Sequence, residues 1–281
     1  MESRHFCLIT VDADRDYPIH REGQIEAVSA VTKDTPDQPS VSVTMKGLEI
    51  ILDLFEELDI RGTFFIEASI LPPINARRPD LLKRLNRHDI GNHGYAHEDF
   101  TGTLTGVKLE RNRVESILKQ AIAEIEAHLK KPKGFRAPYL NFDRQLAEAI
   151  STCFDYDSSI TLKQATTLKA TAIEGLTIPE LPLITTKDAQ GKPISTYLWQ
   201  LLEGRRPVKD YLRIVAEKKQ DPNFPFTIFA LHPWHLAYHI GKKEILKTRD
   251  VEKNKRKLKE FLSKAEPFGT VEDALRLMET T

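Results

Sequence analysis

MKGLEIILDLFEELDI (residues 45–60) runs almost directly into GTFFIEA (62–68), and this junction decides the fold. Leu48, Ile51, Leu52 and Phe55 recur at three- and four-residue spacing, which predicts a helix with one apolar face. The segment after it is short, continuous and rich in aromatic and β-branched residues, which predicts a buried strand. Upstream, FCLITVD (6–12) has the same character. A strand, a helix and a second strand in succession favour parallel pairing through a helical crossover.

The alternation continues along the chain. RPDLLKRLNRH (78–88) predicts a helix and DIGNHGY (from 89) a third strand; a long helix follows over 107–129, with Glu110, Glu115 and Glu126 on a solvated face. GFRAPYL (134–140) predicts a fourth strand, RQLAEAIS (144–151) a helix and YDSSI (156–160) a fifth strand. LTIPELPLI (176–184) and PFTIFALHPWH (225–235) predict the last two strands, separated by a helix near VKDYLRIVAEKK. VEKNKRKLKEFLSKA (251–265) is a charged helix with a solvated face, ahead of the tail TVEDALRLME. Seven strands in one such series suit a closed or nearly closed barrel, although periodicity leaves an open sheet available. The 281 residues are expected to form a single α/β domain over 1–281. A long insert at about 15–43 separates the first strand from its helix. Loops of that length at that end of a barrel often shape an active site; a surface excursion or an oligomer contact is the plain alternative.

Composition narrows the function classes. Lysine plus arginine and aspartate plus glutamate are both 41. That balance argues against a nucleic-acid binder, which carries a basic excess. Cys7 and Cys153 are far apart in apolar surroundings and read as free thiols. No apolar run reaches membrane-spanning length, and MESRHFCLITVDAD lacks a signal-peptide layout. A cytoplasmic protein is the expectation.

Titratable residues gather at the strand ends. The first strand ends in Asp12 and Asp14, the third in His93 and His97, the fourth in Arg136, Pro138 and Tyr139; the fifth carries Asp157, and the seventh ends in His232, Trp234 and His235. In a barrel of this kind those ends share one rim. Two imidazoles four residues apart and a carboxylate make a three-ligand metal site with open positions. Asp12 and Asp14 are two apart, so on a regular strand they face the same side, one free to bind metal and the other to act as base. His232 could protonate a leaving group. Together these parts suit hydrolysis of an unactivated amide.

The motifs carrying this chemistry resemble those of the polysaccharide deacetylases, the NodB-like carbohydrate esterases. TVDAD (10–14), TFFIEA (63–68), GNHGYAH (91–97), FRAPY (135–139), DSS (157–159) and LHPW (231–234) stand in the family's order across roughly residues 6–235. The resemblance implies a deformed (β/α)7 barrel related to the TIM barrel. It implies a divalent metal, usually zinc, with cobalt, manganese or nickel as alternatives, held by Asp14, His93 and His97. It further implies Asp12 as base, Arg136 as its partner, and His232 as general acid oriented by Asp157. The N–H of Tyr139 would be an oxyanion donor. Pro138, Tyr139, Leu231 and Trp234 would contact substrate. The substrate would be an N-acylated sugar, and the protein a homo-oligomer. Ala13 between the two aspartates departs from the family's commonest first motif and resembles a subgroup whose members also act on other amides and cyclic imides.

Three other readings stand beside this one. The first is hydrolysis of a non-sugar amide or cyclic imide on the same scaffold. The second is a catalytically silent carbohydrate-binding protein, which would have lost Asp12 or His232. The third is a ferrous oxygenase, against which the strand–helix alternation argues. His5, His20, His88 and His128 read as surface or loop residues, and His235 and His239 have no assigned role. Trp234 and Tyr139 could equally be plain packing residues. IPELPL (178–183) either walls the pocket or ends a strand.

Overall fold

The computed structural model describes residues 5–32, 38–163 and 178–279. Its centre is a six-stranded parallel sheet. In chain order the relevant strands are β1 (Phe6–Ala13), β2 (Pro18–Arg21), β3 (Gln24–Ser29), β4 (Thr63–Ile66), β5 (Asp89–Asn92), β6 (Gly134–Phe135), β7 (Tyr156–Asp157), β8 (Thr161–Lys163), β9 (Leu183–Lys187), β10 (Pro193–Ser195) and β11 (Phe226–Leu231). The central sheet has the order β11-β1-β4-β5-β6-β7, and β8, β9 and β10 form a second small sheet.

The two edges of the central sheet meet through this second layer. Beyond β7, Asp157 N–H donates to Pro179 O at 2.8 Å and Leu181 N–H to Asp157 O at 2.7 Å. Beyond β11, Ala230 N–H donates to Thr196 O at 3.1 Å and Leu198 N–H to Ala230 O at 2.7 Å. Residues 179–181 and 196–198 thus stand where a seventh strand would close the ring, giving the curled, deformed barrel that the alternation and the resemblance led us to expect. The sixth expected strand, 176–184, is shifted: its regular part is β9, the Ile178–Leu181 stretch pairs only at the seam, and residues 176 and 177 lie outside the described residues.

Helices pack around the sheet: α1 (Ser42–Glu57), α2 (Leu71–Arg77), α3 (Pro79–Leu85), α4 (Arg111–His128), α5 (Arg144–Ile150), α6 (Trp199–Leu202), α7 (Val208–Lys219), α8 (Thr248–Lys264) and α9 (Val271–Glu279). The apolar face read in 45–60 is buried as expected, with Leu48, Ile51, Leu52, Leu54 and Phe55 at most 1% exposed. The core is one apolar mass between sheet and helices, with a smaller cluster around Phe100, Leu118 and Phe135 under α4 and α5. Gly47 in α1 lets that helix lie directly on the turn after β11, since a Cβ there would fall 1.9 Å from the carbonyl oxygen of Pro233. The long insert is not a bare loop. It carries the hairpin β2–β3, clamped to the rim by Asp99 N–H donating to Ile25 O at 2.9 Å. No helix among the described residues is long and apolar enough to cross a membrane.

Candidate active site

Five polar residues follow directly on parallel strands and so emerge at one end of the sheet: Asp14 after β1, His93 after β5, Arg136 after β6, Ser158 after β7 and His232 after β11. At that end lies a cavity of about 350 Å³ whose lining includes Asp12, His93, His97, Tyr139, Tyr197 and His232.

Asp14, His93 and His97 are buried, and each offers a ligand atom within 4.8 Å of those of the other two. Asp14 Oδ1 accepts the indole N–H of Trp234 at 2.7 Å, while Oδ2 has no hydrogen-bond partner and lies 3.5 Å from His97 Nε2. The Nδ1 atom of His93 is 2.7 Å from the carbonyl oxygen of Arg136. A carbonyl only accepts, so Nδ1 carries the proton and Nε2 keeps its lone pair. Burial pushes both histidines down, His93 to about 4 and His97 to about 3, so both are neutral donors at ordinary pH. Burial also raises Asp14 well above the usual carboxylate range, as expected for a carboxylate lacking a countercharge. A buried, uncompensated carboxylate oxygen beside two neutral imidazoles fits a divalent cation. The backbone of His97 is left-handed, at φ 54°, and Gly94 takes φ 81° where a Cβ would meet Glu98 Oε2 at 2.5 Å. The turn 93–98 thus bends sharply to bring the two rings edge-to-face at 4.9 Å.

Asp12 is placed differently. Its Oδ1 accepts from Arg136 Nη1 at 2.7 Å, with both side chains nearly inaccessible. Burial by itself would raise this carboxyl, but the charge of Arg136, helped by His93 and His232, outweighs it and holds Asp12 at about 2. Arg136 is itself fixed by Ser158 O at 2.9 Å, Ser158 Oγ at 2.7 Å and Thr10 Oγ1 at 2.9 Å, and lies 4.2 Å over the Phe65 ring. Asp12 Oδ2 accepts the hydroxyl of Tyr197, which also lies 3.0 Å from His232 Nε2.

Several expected roles take a different form. Among the described residues Asp157 makes no hydrogen bond to His232: its carboxyl is hydrogen-bonded by Ser159 Oγ at 2.7 Å and by Glu180, on the seam of the barrel. Burial raises both Asp157 and Glu180, the direction in which two neighbouring acids come to share a proton. His232 instead stacks between Tyr197, at 5.0 Å, and Trp234, at 4.6 Å. Leu231 is fully buried in the core and, like Pro138, is absent from the cavity lining. Trp234 lines the cavity and also holds Asp14, so it is more than packing. Tyr139 sits on the rim with φ 56°, its ring 4.7 Å from that of His97 and its hydroxyl donating to Pro18 O at 2.6 Å.

The histidines read as surface or loop residues divide. His5 and His88 are buried, at 2% and 5% exposure, and His20 packs against His97 and Tyr139 from the insert hairpin. His235 is buried in the cavity wall with neither ring nitrogen partnered among the described residues. Tyr197, which bridges Asp12 and His232, has no motif around it in STYLWQ (195–200), and only its place across the barrel reveals it.

Comparison with known proteins agrees with the fold. A family model described as polysaccharide deacetylase matches residues 35–154. That segment is similar to the polysaccharide deacetylase family. The uncharacterized protein YlxY of Bacillus subtilis (strain 168) is 27% identical over 127 residues, which are 42% of this chain and 37% of that protein. The chain thus spans little more than a third of the curated relative it matches. Among solved structures, a candidate polysaccharide deacetylase from Mycobacterium smegmatis superposes with a TM-score of 0.57 at 17% identity, covering 85% of this chain and 78% of that one. A CE4 family pseudoenzyme from Bacillus anthracis superposes at 0.53 and 14% identity, covering 98% of this chain and 66% of that one. At these identities the structural likeness speaks for the fold.

Proposed function

We propose that this chain is a metal-dependent hydrolase that removes an acetyl or similar small acyl group from an amino sugar. The observation that carries the reading is the division of labour between two aspartates on one strand end. Asp12 is kept ionised by buried Arg136, whereas Asp14 presents an unpartnered oxygen toward His93 and His97.

Asp14, His93 and His97 would hold the metal. Their nitrogen and oxygen donors suit zinc, and also cobalt, manganese or nickel. A divalent ion bound there supplies Lewis-acid charge and brings the pKa of water toward about 7. The chain's own residues do the rest. Asp12, poised as carboxylate, takes a proton from the attacking water. The Tyr139 N–H is the donor we assign to the oxyanion that forms on the acyl carbon. His232, across the cavity, delivers a proton to the departing amine nitrogen, so the C–N bond breaks as a C–O bond forms. The presence of Asp12 and His232 speaks against a catalytically silent relative.

The cavity is at the small end of the range for ligand sites, which favours one acylated unit held deeply. Its wall is aromatic, from Tyr17, Tyr139, Tyr197, Trp199 and Trp234. That wall, with the Asp-Ala-Asp spacing, supports a second reading: hydrolysis of a flat non-sugar amide or cyclic imide. The test is acetate and amine release from a panel of N-acetylated sugars, short oligosaccharides and cyclic imides, after chelation and again after zinc. Zinc-restored acetate release from a sugar supports the first reading; opening of an imide with every sugar untouched moves the substrate to the second.

A further inference from the structure

We propose that Tyr197 is a proton relay joining the base Asp12 to the acid His232, an inference that rests on the hydrolase reading above. The phenol donates to Asp12 Oδ2 and lies 3.0 Å from His232 Nε2, on the side away from Arg136. The other oxygen of Asp12 is taken by Arg136 at 2.7 Å, so Tyr197 is the partner left at the open oxygen. A phenol has one proton and lone pairs to accept another, so it can receive at its oxygen and donate in the same event with no net change of its own.

The residue is held for this task. Its ring stacks on the His232 imidazole with 26° between the planes. Its backbone is pinned on both sides to β11, the strand that carries His232, by Thr196 O accepting from Ala230 N–H and Ala230 O accepting from Leu198 N–H. Ser195 Oγ accepts the Tyr197 N–H at 3.1 Å. Seam and acid are therefore tied to one strand.

The steps balance. The attacking water gives its hydroxyl to the acyl carbon and its proton to Asp12. The Tyr197 hydroxyl turns from Asp12 to His232 and gives its proton to Nε2, and the Asp12 carboxyl passes the water's proton to the Oη lone pair so exposed. His232 Nε2 then gives a proton to the amine nitrogen as the C–N bond breaks. Carboxylate, phenol and imidazole all end as they began. Asp12 is only 2% exposed, and the phenol gives its proton a route to His232.

Tyr197→Phe keeps the stacked ring and removes the relay. In the zinc-loaded full chain acting on di-N-acetylchitobiose, kcat should fall on the order of 100-fold with KM within about twofold, and added imidazole should restore part of it. The solvent isotope effect on kcat should also change. Wild-type kcat in the variant, or a loss confined to KM, would overturn the proposal. If the wild type itself releases no acetate, the hydrolase reading fails, and the link is judged on the metal-free protein by proton NMR. A downfield hydroxyl resonance lost in both Tyr197→Phe and Asp12→Asn is then expected; its absence from the wild type overturns the relay.

Discussion

Trp234 donates its indole N–H to Oδ1 of Asp14 at 2.7 Å, leaving Oδ2 as the free oxygen toward His97. A ligand carboxylate held in this way by a neighbouring donor is oriented before metal arrives, and removing such a partner typically costs 10–100-fold in affinity. Trp234→Phe keeps an aromatic ring against His232 and deletes the donor. We expect zinc affinity, read by competition with a chromogenic chelator, to fall about 10–100-fold, with turnover at saturating zinc much less affected. Unchanged affinity would remove Trp234 from the metal site.

Asp12 faces the same cavity but is bound to Arg136 and Tyr197, not to the triad. Asp12→Asn should therefore retain metal stoichiometry and lose turnover by at least about 100-fold, the usual worth of a positioned base. Metal analysis beside acetate release separates the two. An active Asp12→Asn enzyme would give the base role to another group.

Arg136 and Asp12 are a buried pair at 0% and 2% side-chain exposure. Breaking such a pair leaves a charge without its partner, at a cost of about 3–5 kcal/mol. Arg136→Met should lower the urea-unfolding free energy by that order, and Arg136→Met with Asp12→Asn should recover much of it. Equal destabilisation in single and double variants would mean that the pairs to Ser158 and Thr10, not Asp12, dominate.

Glu180 and Asp157 sit on the barrel seam, and burial raises both. A raised folded-state pKa means that the folded state binds the proton more tightly. The stabilisation is full below the ordinary value, 4.5 for Glu180, and is lost as pH rises through the raised one. Wild-type stability should thus decline from about pH 5 upward on account of this pair. Glu180→Gln can donate to Asp157 without a titrating proton, so its unfolding free energy should vary less over the same range. Parallel pH curves for the two proteins would exclude a shared proton at the seam.

The sequence by itself determined the alternating strands and helices, the parallel sheet and the rim where function gathers. Those features follow from periodicity and from residues adjacent in the chain: the apolar face of 45–60, the aspartates two apart after β1, the histidines four apart after β5. The pairing of Asp12 with Arg136 was legible only through family resemblance, because 124 residues separate them. Tertiary structure alone decided the rest. Tyr197 reaches Asp12 across 185 residues because the seam is built from short segments with little strand periodicity of their own. The same closure pairs Asp157 with Glu180, while the β2–β3 hairpin brings His20 against His97. Local pattern encodes which face of a segment is buried; which distant segment buries it is settled only when the sheet curls and its two edges meet.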